Sequence, residues 1–115
     1  MQPFEKARQV HAEGFNCSQS VLCGLSEYTG IDDDEAKALG GCFGGGIGAG
    51  ETCGAVIGAA MALGLAFPYN DSSDGESCAR AKRLGRELCM EFNKEYGALS
   101  CRALLSSTAP LRRCS

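Results

Sequence analysis

Residues 40–67 read GGCFGGGIGAG followed by ETCGAVIGAAMALGLAF. The first part is dominated by glycine, which loses more conformational freedom on folding than any other residue, so an ordered run needs compensating contacts. The second part is uncharged and apolar from Cys53 to Phe67, and Pro68 follows it. Because this stretch is shorter than the roughly 20 residues that cross a bilayer, we expect a glycine-rich loop before a buried central helix, and no membrane span.

Small residues recur at every fourth position of this central helix, at Gly54, Gly58 and Ala62. Such spacing places them on one face, where the backbone of another helix can approach closely. The stripe can serve the internal core or the interface of a homodimer.

Helix start signals lie upstream of this stretch. Asn16 with Gln19 matches a capping box, which predicts a second helix that ends near Gly30. Asp32 with Glu35 repeats the signature and predicts a short third helix.

Helical patterns also cover the rest of the chain. An amphipathic first helix begins at Pro3, a long fifth helix begins at Asp74 and ends at Gly97, and Ser100 begins a last helix that Pro110 breaks. The residues predicted to face the core on the fifth helix are Cys78, Ala81, Gly85, Leu88 and Phe92. These patterns predict an all-α fold, a compact bundle of five to six helices with the glycine-rich loop before the central helix.

Composition narrows the class of protein. The chain has 115 residues, 8 cysteines, 16 glycines, one histidine and a net charge of −3. This length fits one cysteine-rich helical domain over residues 1–115, and the acidic balance argues against nucleic-acid binding. Because the amino terminus shows no secretory signal, we expect a cytoplasmic protein. In that compartment, many cysteines indicate metal binding or redox chemistry more often than permanent disulfides.

Three cysteines directly follow a residue that can cap a helix, in the pairs Asn16-Cys17, Thr52-Cys53 and Ser100-Cys101. Each is expected at a first helical position, beside unpaired backbone N–H groups and the positive end of the helix dipole. That setting stabilises a thiolate or a metal-bound sulfur. The competing interpretation is that these cysteines are small buried apolar residues.

The remaining cysteines divide into two groups. Cys42 lies in the glycine run and is a further candidate metal ligand, whereas Cys114 lies in a tail that can reach the site. Cys23 is predicted to be structural, and Cys78 and Cys89 are predicted to pack in the core.

The glycine run matches a known ligand-binding motif only in part. The pattern Gly44-x-Gly46-x-x-Ala49 lacks the strand that a dinucleotide fingerprint requires. A glycine-rich turn before a helix can still bind an anion or let the chain pass close to a cofactor. The predicted cofactor-contacting positions are Gly44, Gly45, Gly46 and Gly54.

Several segments together resemble one protein family. Cys53 to Gly58 reads CGAVIG, residues 15–22 read FNCSQSVL, and Tyr96-Gly97 precedes CRALL at residues 101–105. These segments, with the glycine run, are similar to the C_GCAxxG_C_C family, to which redox activity is ascribed. On this resemblance, the four characteristic and redox-active cysteines are Cys17, Cys53, Cys101 and Cys114.

The resemblance also implies partners and cofactors. Genes of this family commonly lie near transporter or oxidoreductase genes, which implies an oxidoreductase or transporter system as partner. A related domain occurs in split-Soret cytochromes, where an iron–sulfur centre accompanies haem. No settled reaction comes with the family, so whether the protein is an enzyme stays open.

Two hypotheses of different classes follow. The first is a redox-active protein whose clustered cysteines either hold an iron–sulfur cluster or another metal, through Cys17, Cys53, Cys101 and Cys42, or form a dithiol–disulfide pair. The second is a non-catalytic accessory or interaction subunit with structural cysteines. An enzyme with a single cysteine nucleophile has little support, because His11 is the only histidine.

Overall fold

A computed structural model describes residues 1–107 of the chain and confirms the all-α prediction. In this range the elements are α1 (Pro3–Ala12), α2 (Cys17–Gly24), α3 (Ser26–Thr29), α4 (Asp33–Gly40), a π-helical turn (Gly46–Gly50), α5 (Gly54–Ala66), α6 (Gly75–Tyr96) and α7 (Cys101–Ser107). The count exceeds the predicted five to six because the second predicted helix is divided at Leu25 and the glycine run contains a π-helical turn. Among the described helices, none combines the length and apolar character needed to cross a bilayer.

The predicted helix starts are largely confirmed. The side chain of Asn16 accepts a hydrogen bond from the Gln19 amide, and the Gln19 side chain accepts one from the Asn16 amide, each at 2.9 Å. Asp74 caps α6 by accepting from an amide at 3.1 Å, and Ser100 accepts from the Ala103 amide at 3.1 Å. Local side-chain hydrogen bonds therefore position these helix ends.

The start of the central helix differs from the prediction. Helix α5 begins at Gly54, so Cys53 is its N-cap and not its first helical residue. The reason is that Thr52 pairs with Ser100 in an isolated antiparallel β-bridge. This pairing keeps the chain extended through Thr52 and delays the first helical turn.

The small-residue stripe of α5 packs inside the molecule. A side-chain carbon placed on Gly58 would lie 2.8 Å from the carbonyl oxygen of Ser18, and one placed on Gly54 would lie 3.3 Å from the Ser18 amide nitrogen. Ala62, on the same face, is buried. The close approach predicted for this stripe is therefore made to α2. The core beside it contains Val10, Leu22, Cys23, Ala36 and Ala62.

Helix α6 is less enclosed than the sequence predicts. It packs against α5, yet with residues 1–107 in place each of its 22 residues keeps some exposure. The predicted core-facing residues, including Cys78 and Cys89, are only partly buried. Since α5 is its main neighbour among the described elements, the apolar stripe of α6 is only partly covered.

Candidate cysteine site

Cys17 is the first residue of α2, directly after the capping residue Asn16. Its side chain is partly buried. It lines a surface pocket of about 370 Å³ together with two basic side chains, Arg8 and His11, and with mainly apolar residues of α1, α2 and α5. The described surface therefore gives a route from solvent to Cys17.

Cys53 and Cys101 are brought together by backbone pairing. The Cys53 amide donates to the carbonyl oxygen of Leu99 at 2.7 Å, and the Cys101 amide donates to the carbonyl oxygen of Glu51 at 2.6 Å. Both cysteines are nearly inaccessible, with 6% and 1% of their surface exposed. Cys53 directly follows Thr52, and Cys101 directly follows Ser100. Because successive side chains of an extended segment point to opposite faces, both cysteine side chains lie on the face opposite Thr52 and Ser100.

The register of this pairing sets the spacing of the two cysteines. Leu99 lies across from Cys53, and Cys101 is two residues further along, which makes Cys53 and Cys101 diagonal neighbours. Diagonal neighbours in an antiparallel pair have Cα atoms about 7–8 Å apart. The two cysteines therefore lie near each other on one face of the paired segments.

Gly54 connects Cys17 to the same region. A side-chain carbon on Gly54 would lie 3.5 Å from the Cβ atom of Cys17 and 2.8 Å from the carbonyl oxygen of Phe43. Because Gly54 directly follows Cys53, the start of α2 lies against the start of α5. Cys17, Cys53 and Cys101 thus belong to three chain segments that meet at one end of α5.

The capping side chains of α2 also hold the glycine-rich loop. The Asn16 Nδ2 atom donates to the carbonyl oxygens of Gly40 and Gly41, at 3.1 and 3.2 Å. The Gln19 Nε2 atom donates to the carbonyl oxygen of Lys37 at 2.8 Å. The residues that begin the Cys17 helix therefore also satisfy carbonyl groups at the end of α4.

Three of the four glycines predicted to contact a cofactor, Gly44, Gly46 and Gly54, lie against the protein's own chain. Gly44 lies against Asn16, where an added side-chain carbon would be 2.6 Å from Cβ. Gly45 and Gly46 have φ of +64°, which favours glycine, and a carbon added at Gly46 would lie 2.5 Å from backbone atoms of Glu51. These contacts give the glycines a structural role, and cofactor contact stays a prediction.

Sequence reasoning missed two features of this loop. Ile47 has a φ of +61°, which is unfavourable for a β-branched side chain. The Arg102 Nη2 atom donates to the carbonyl oxygen of Ala49 at 3.0 Å and ties α7 to the loop. The surrounding glycines indicate an unusual backbone. No local sequence pattern predicts the positive φ of Ile47 or the hydrogen bond of Arg102.

The other predicted site residues are placed as follows. Cys42 is exposed in the turn after α4, and Cys114 lies outside the described residues. Within residues 1–107, no disulfide joins any two cysteines, and no three His, Cys, Asp or Glu side chains are grouped to hold a metal ion. The ligand set of Cys17, Cys53, Cys101 and Cys42 therefore stays a prediction.

Cys23 behaves as the structural cysteine that the sequence predicts. It is fully buried, and its Sγ atom lies 3.7 Å from the carbonyl oxygen of Asp33. Burial raises the pKa of the Cys23 thiol, and the negative charge of Asp33 raises it further. The thiol is therefore held protonated in the core.

Comparison with known proteins identifies the family. The model of the family described as "Putative redox-active protein (C_GCAxxG_C_C)" matches residues 15–115. The chain belongs to this family. The matched range contains all four cysteines that the resemblance singles out, Cys17, Cys53, Cys101 and Cys114. No curated protein and no solved structure shows a significant match to the chain.

Proposed function

We propose that this protein is a thiol-based redox module whose reactive sulfurs are those of Cys17, Cys53 and Cys101. The observation that carries the proposal is the meeting of their three segments: the backbone pairing joins the Cys53 and Cys101 segments, and Gly54 contacts Cys17. Membership of a family with ascribed redox activity supports the same conclusion.

The exposure of the cysteines favours dithiol–disulfide exchange between Cys17 and Cys53. Exchange requires an accessible attacking thiolate and a second thiol that resolves the mixed disulfide. Cys17 lines an open pocket, whereas Cys53 is buried beside Gly54. The N-terminus of α2 favours negative charge at Cys17, so Cys17 takes the attacking role and Cys53 the resolving role.

The proposed reaction balances without a bound cofactor. The Cys17 thiolate attacks one sulfur of a disulfide substrate, and the other sulfur leaves as a thiolate. Cys53, after losing its proton, attacks the mixed disulfide and releases the second substrate sulfur. The substrate gains two electrons and two protons, and the Cys17–Cys53 pair becomes a disulfide. On the family resemblance, an oxidoreductase or transporter system in a reducing cytoplasm exchanges these electrons.

The spacing of Cys53 and Cys101 favours metal ligation as a second candidate. Cα atoms more than about 7 Å apart cannot form a disulfide without backbone movement, whereas a metal ion can lie between two more widely separated sulfurs. Thiolates are the ligands that zinc, copper(I) and iron–sulfur clusters prefer, so the donor chemistry fits, and Cys17, Cys53 and Cys101 would hold the group. When bound, an iron–sulfur cluster supplies one-electron transfer.

One set of measurements tests both candidates. Protein purified without oxygen is analysed for metal, sulfide and visible absorption, and then oxidised and mapped by mass spectrometry. Dithiol exchange predicts colourless protein with a Cys17–Cys53 disulfide, and metal ligation predicts bound metal that is lost in Cys53→Ser. Cys89→Ser, at a partly buried position on α6, is the matched control.

A third outcome would favour the accessory-subunit alternative. In that case the protein is free of metal, all eight thiols react as ordinary cysteines once unfolded, and no disulfide forms. Cys17→Ser and Cys53→Ser would then lower the free energy of unfolding without changing any spectrum or thiol reactivity. That combination would contradict the redox proposal.

A further inference from the structure

The side of α1 that lines the Cys17 pocket carries basic and no acidic residues. Arg8 and His11 are three positions apart, so they are neighbours on the surface of the helix, and both line the pocket. The acidic residues within and beside α1, Glu5 and Glu13, do not line it. The surroundings of Cys17 are therefore locally basic, although the chain as a whole has a net charge of −3.

The Arg8 side chain is available to a ligand. It is exposed, and within the described part of the chain it forms no ion pair and no side-chain hydrogen bond. By contrast, Lys6 on the same helix is held by Asp33 and Ser26, at 2.9 and 2.8 Å. A guanidinium presents paired N–H donors that match the two oxygens of a carboxylate. Arg8 can therefore bind a carboxylate from solvent.

The pocket wall beside Cys17 is apolar. It includes Val21 and Ala55, and the hydroxyl of Ser20 is already used, because its Oγ atom donates to the carbonyl oxygen of Asn16 at 2.7 Å. The pocket holds about 370 Å³, which lies within the range of roughly 300–1,000 Å³ typical of small-molecule sites. A ligand that fits it has a small apolar part and an anionic end.

We propose that the disulfide substrate of Cys17 is a small molecule with a carboxylate near its sulfur atoms, and that Arg8 binds this carboxylate. The apolar arm between the carboxylate and the sulfur contacts Val21 and Ala55. The inference rests on the proposed dithiol–disulfide exchange and names its substrate class. Arg8 is then a specificity-determining residue, since it contacts the substrate but not the reacting sulfurs.

The reaction with such a substrate balances in atoms and electrons. The Cys17 thiolate forms a bond to one substrate sulfur, the substrate S–S bond breaks, and the first carboxylate-bearing thiolate leaves and takes a proton from water. Cys53, after losing its proton, bonds to the Cys17 sulfur and releases the second. The substrate is reduced by two electrons to two thiols, and Cys17 and Cys53 are oxidised to a disulfide.

Three aliphatic disulfides of similar size and different charge test the substrate class. Dithiodipropionate carries two carboxylates, hydroxyethyl disulfide is neutral, and cystamine carries two ammonium groups. Each is mixed with the reduced full chain at low salt, and peptide mapping gives the rate at Cys17. The rate for the same chain unfolded in urea corrects for the intrinsic reactivity of each disulfide. We expect a corrected rate about 10-fold higher for the dicarboxylate than for the neutral disulfide, and a lower one for cystamine, because the charge of the pocket attracts or repels each reagent.

Variants of Arg8 separate its charge from its shape. Arg8→Ala should remove most of the preference for the dicarboxylate. Arg8→Lys keeps the positive charge but loses the paired donors, so it should keep only part of the preference. Lys82→Ala removes an exposed positive charge from α6 and should leave the preference unchanged. Circular dichroism checks that each variant stays folded.

The outcomes separate the substrate class from the redox function. Equal corrected rates for the three disulfides, or an undiminished preference in Arg8→Ala, would overturn the substrate class and leave the exchange at Cys17 in place. Reaction with the disulfides of an unfolded protein, but with none of the three small ones, would overturn it in favour of a protein substrate. If Cys17 of the folded chain reacts no faster than that of the unfolded chain with any disulfide, and no Cys17–Cys53 disulfide forms, the proposed function itself fails.

Discussion

A side-chain carbon on Gly58 would lie 2.8 Å from the carbonyl oxygen of Ser18, and Cys17 is the residue next to Ser18. The backbones of α2 and α5 are thus in nearly direct contact one turn away from the cysteine site. The same close approach at Gly54 places Cys17 beside the start of α5. The relative position of Cys17 and Cys53 therefore depends on the absence of side chains at two glycines.

We predict that Gly58→Ala lowers the free energy of unfolding by about 1–3 kcal/mol. The added methyl group would force α2 and α5 apart, and overpacking of this kind costs that amount in well-packed cores. Urea unfolding measures it. The matched control is Gly64→Ala in the same helix, where the new carbon meets no described atom within 4 Å. It should be neutral or stabilise by up to about 1 kcal/mol, and equal losses in both variants would contradict the close-packing explanation.

Asn16 combines two roles that one substitution can separate. In Asn16→Asp the side chain still accepts from the Gln19 amide, but it loses the Nδ2 donors to the carbonyl oxygens of Gly40 and Gly41. We predict a loss of about 1–3 kcal/mol in unfolding free energy, because the partly buried carbonyl of Gly40 and the exposed carbonyl of Gly41 lose their donor and face a new negative charge. Urea unfolding measures the change.

Asp74→Asn is the matched control for this substitution. It makes the reverse exchange at the N-cap of α6, where the side chain accepts hydrogen bonds from the amide and the hydroxyl of Ser77 in its own helix. We expect a change below about 0.5 kcal/mol, since asparagine and aspartate cap helices similarly. If the control loses as much stability as Asn16→Asp, the contacts to the end of α4 are not the cause.

Local signals account for most of what could be predicted from this sequence. The capping box of Asn16 and Gln19 and the four-residue spacing of Gly54 and Gly58 are short-range patterns, and both are confirmed. These patterns identify Cys17 as a helix-start cysteine and predict the close packing of α5.

The features that could not be predicted depend on segments far apart in the chain. Thr52 matches a helix cap by local criteria, but its pairing with Ser100, 48 positions later, moves the start of α5 to Gly54. The positive φ of Ile47 likewise has no local sequence signal. The partial exposure of the α6 stripe also has no signal in the sequence, because periodicity shows which face of a helix is apolar but not how much of that face the neighbouring helices cover.

Cys23 should make the protein less stable at alkaline pH. Burial and the charge of Asp33 raise its pKa above the ordinary value of 9.0, so folding favours the protonated thiol. Its stabilising contribution is fully present below about pH 9 and is lost as the pH rises through the raised pKa. We predict that the free energy of unfolding falls less steeply between pH 9 and 10.5 in Cys23→Ala than in the wild type.

Cys89→Ala is the control for this pH dependence, because Cys89 is only partly buried. It removes one thiol and leaves Cys23 in place, so it should keep the wild-type alkaline slope. Urea unfolding at half-unit pH intervals gives both curves. Parallel curves for wild type and Cys23→Ala would show that other groups cause the alkaline loss.

The pocket of Cys17 should favour anionic reagents, because it is lined by Arg8 and His11 and by no acidic side chain among the described residues. Iodoacetate and iodoacetamide alkylate thiols by the same displacement of iodide, but only iodoacetate carries a negative charge. We predict that Arg8→Ala lowers the iodoacetate-to-iodoacetamide rate ratio at Cys17 several-fold at low salt, and that the difference shrinks at 1 M salt, where the Debye length is about 3 Å. Peptide mapping after short labelling gives the rates. Lys82→Ala, an exposed basic residue of α6, should leave the ratio unchanged, and an unchanged ratio in Arg8→Ala would show that this side chain does not attract anions to the thiol.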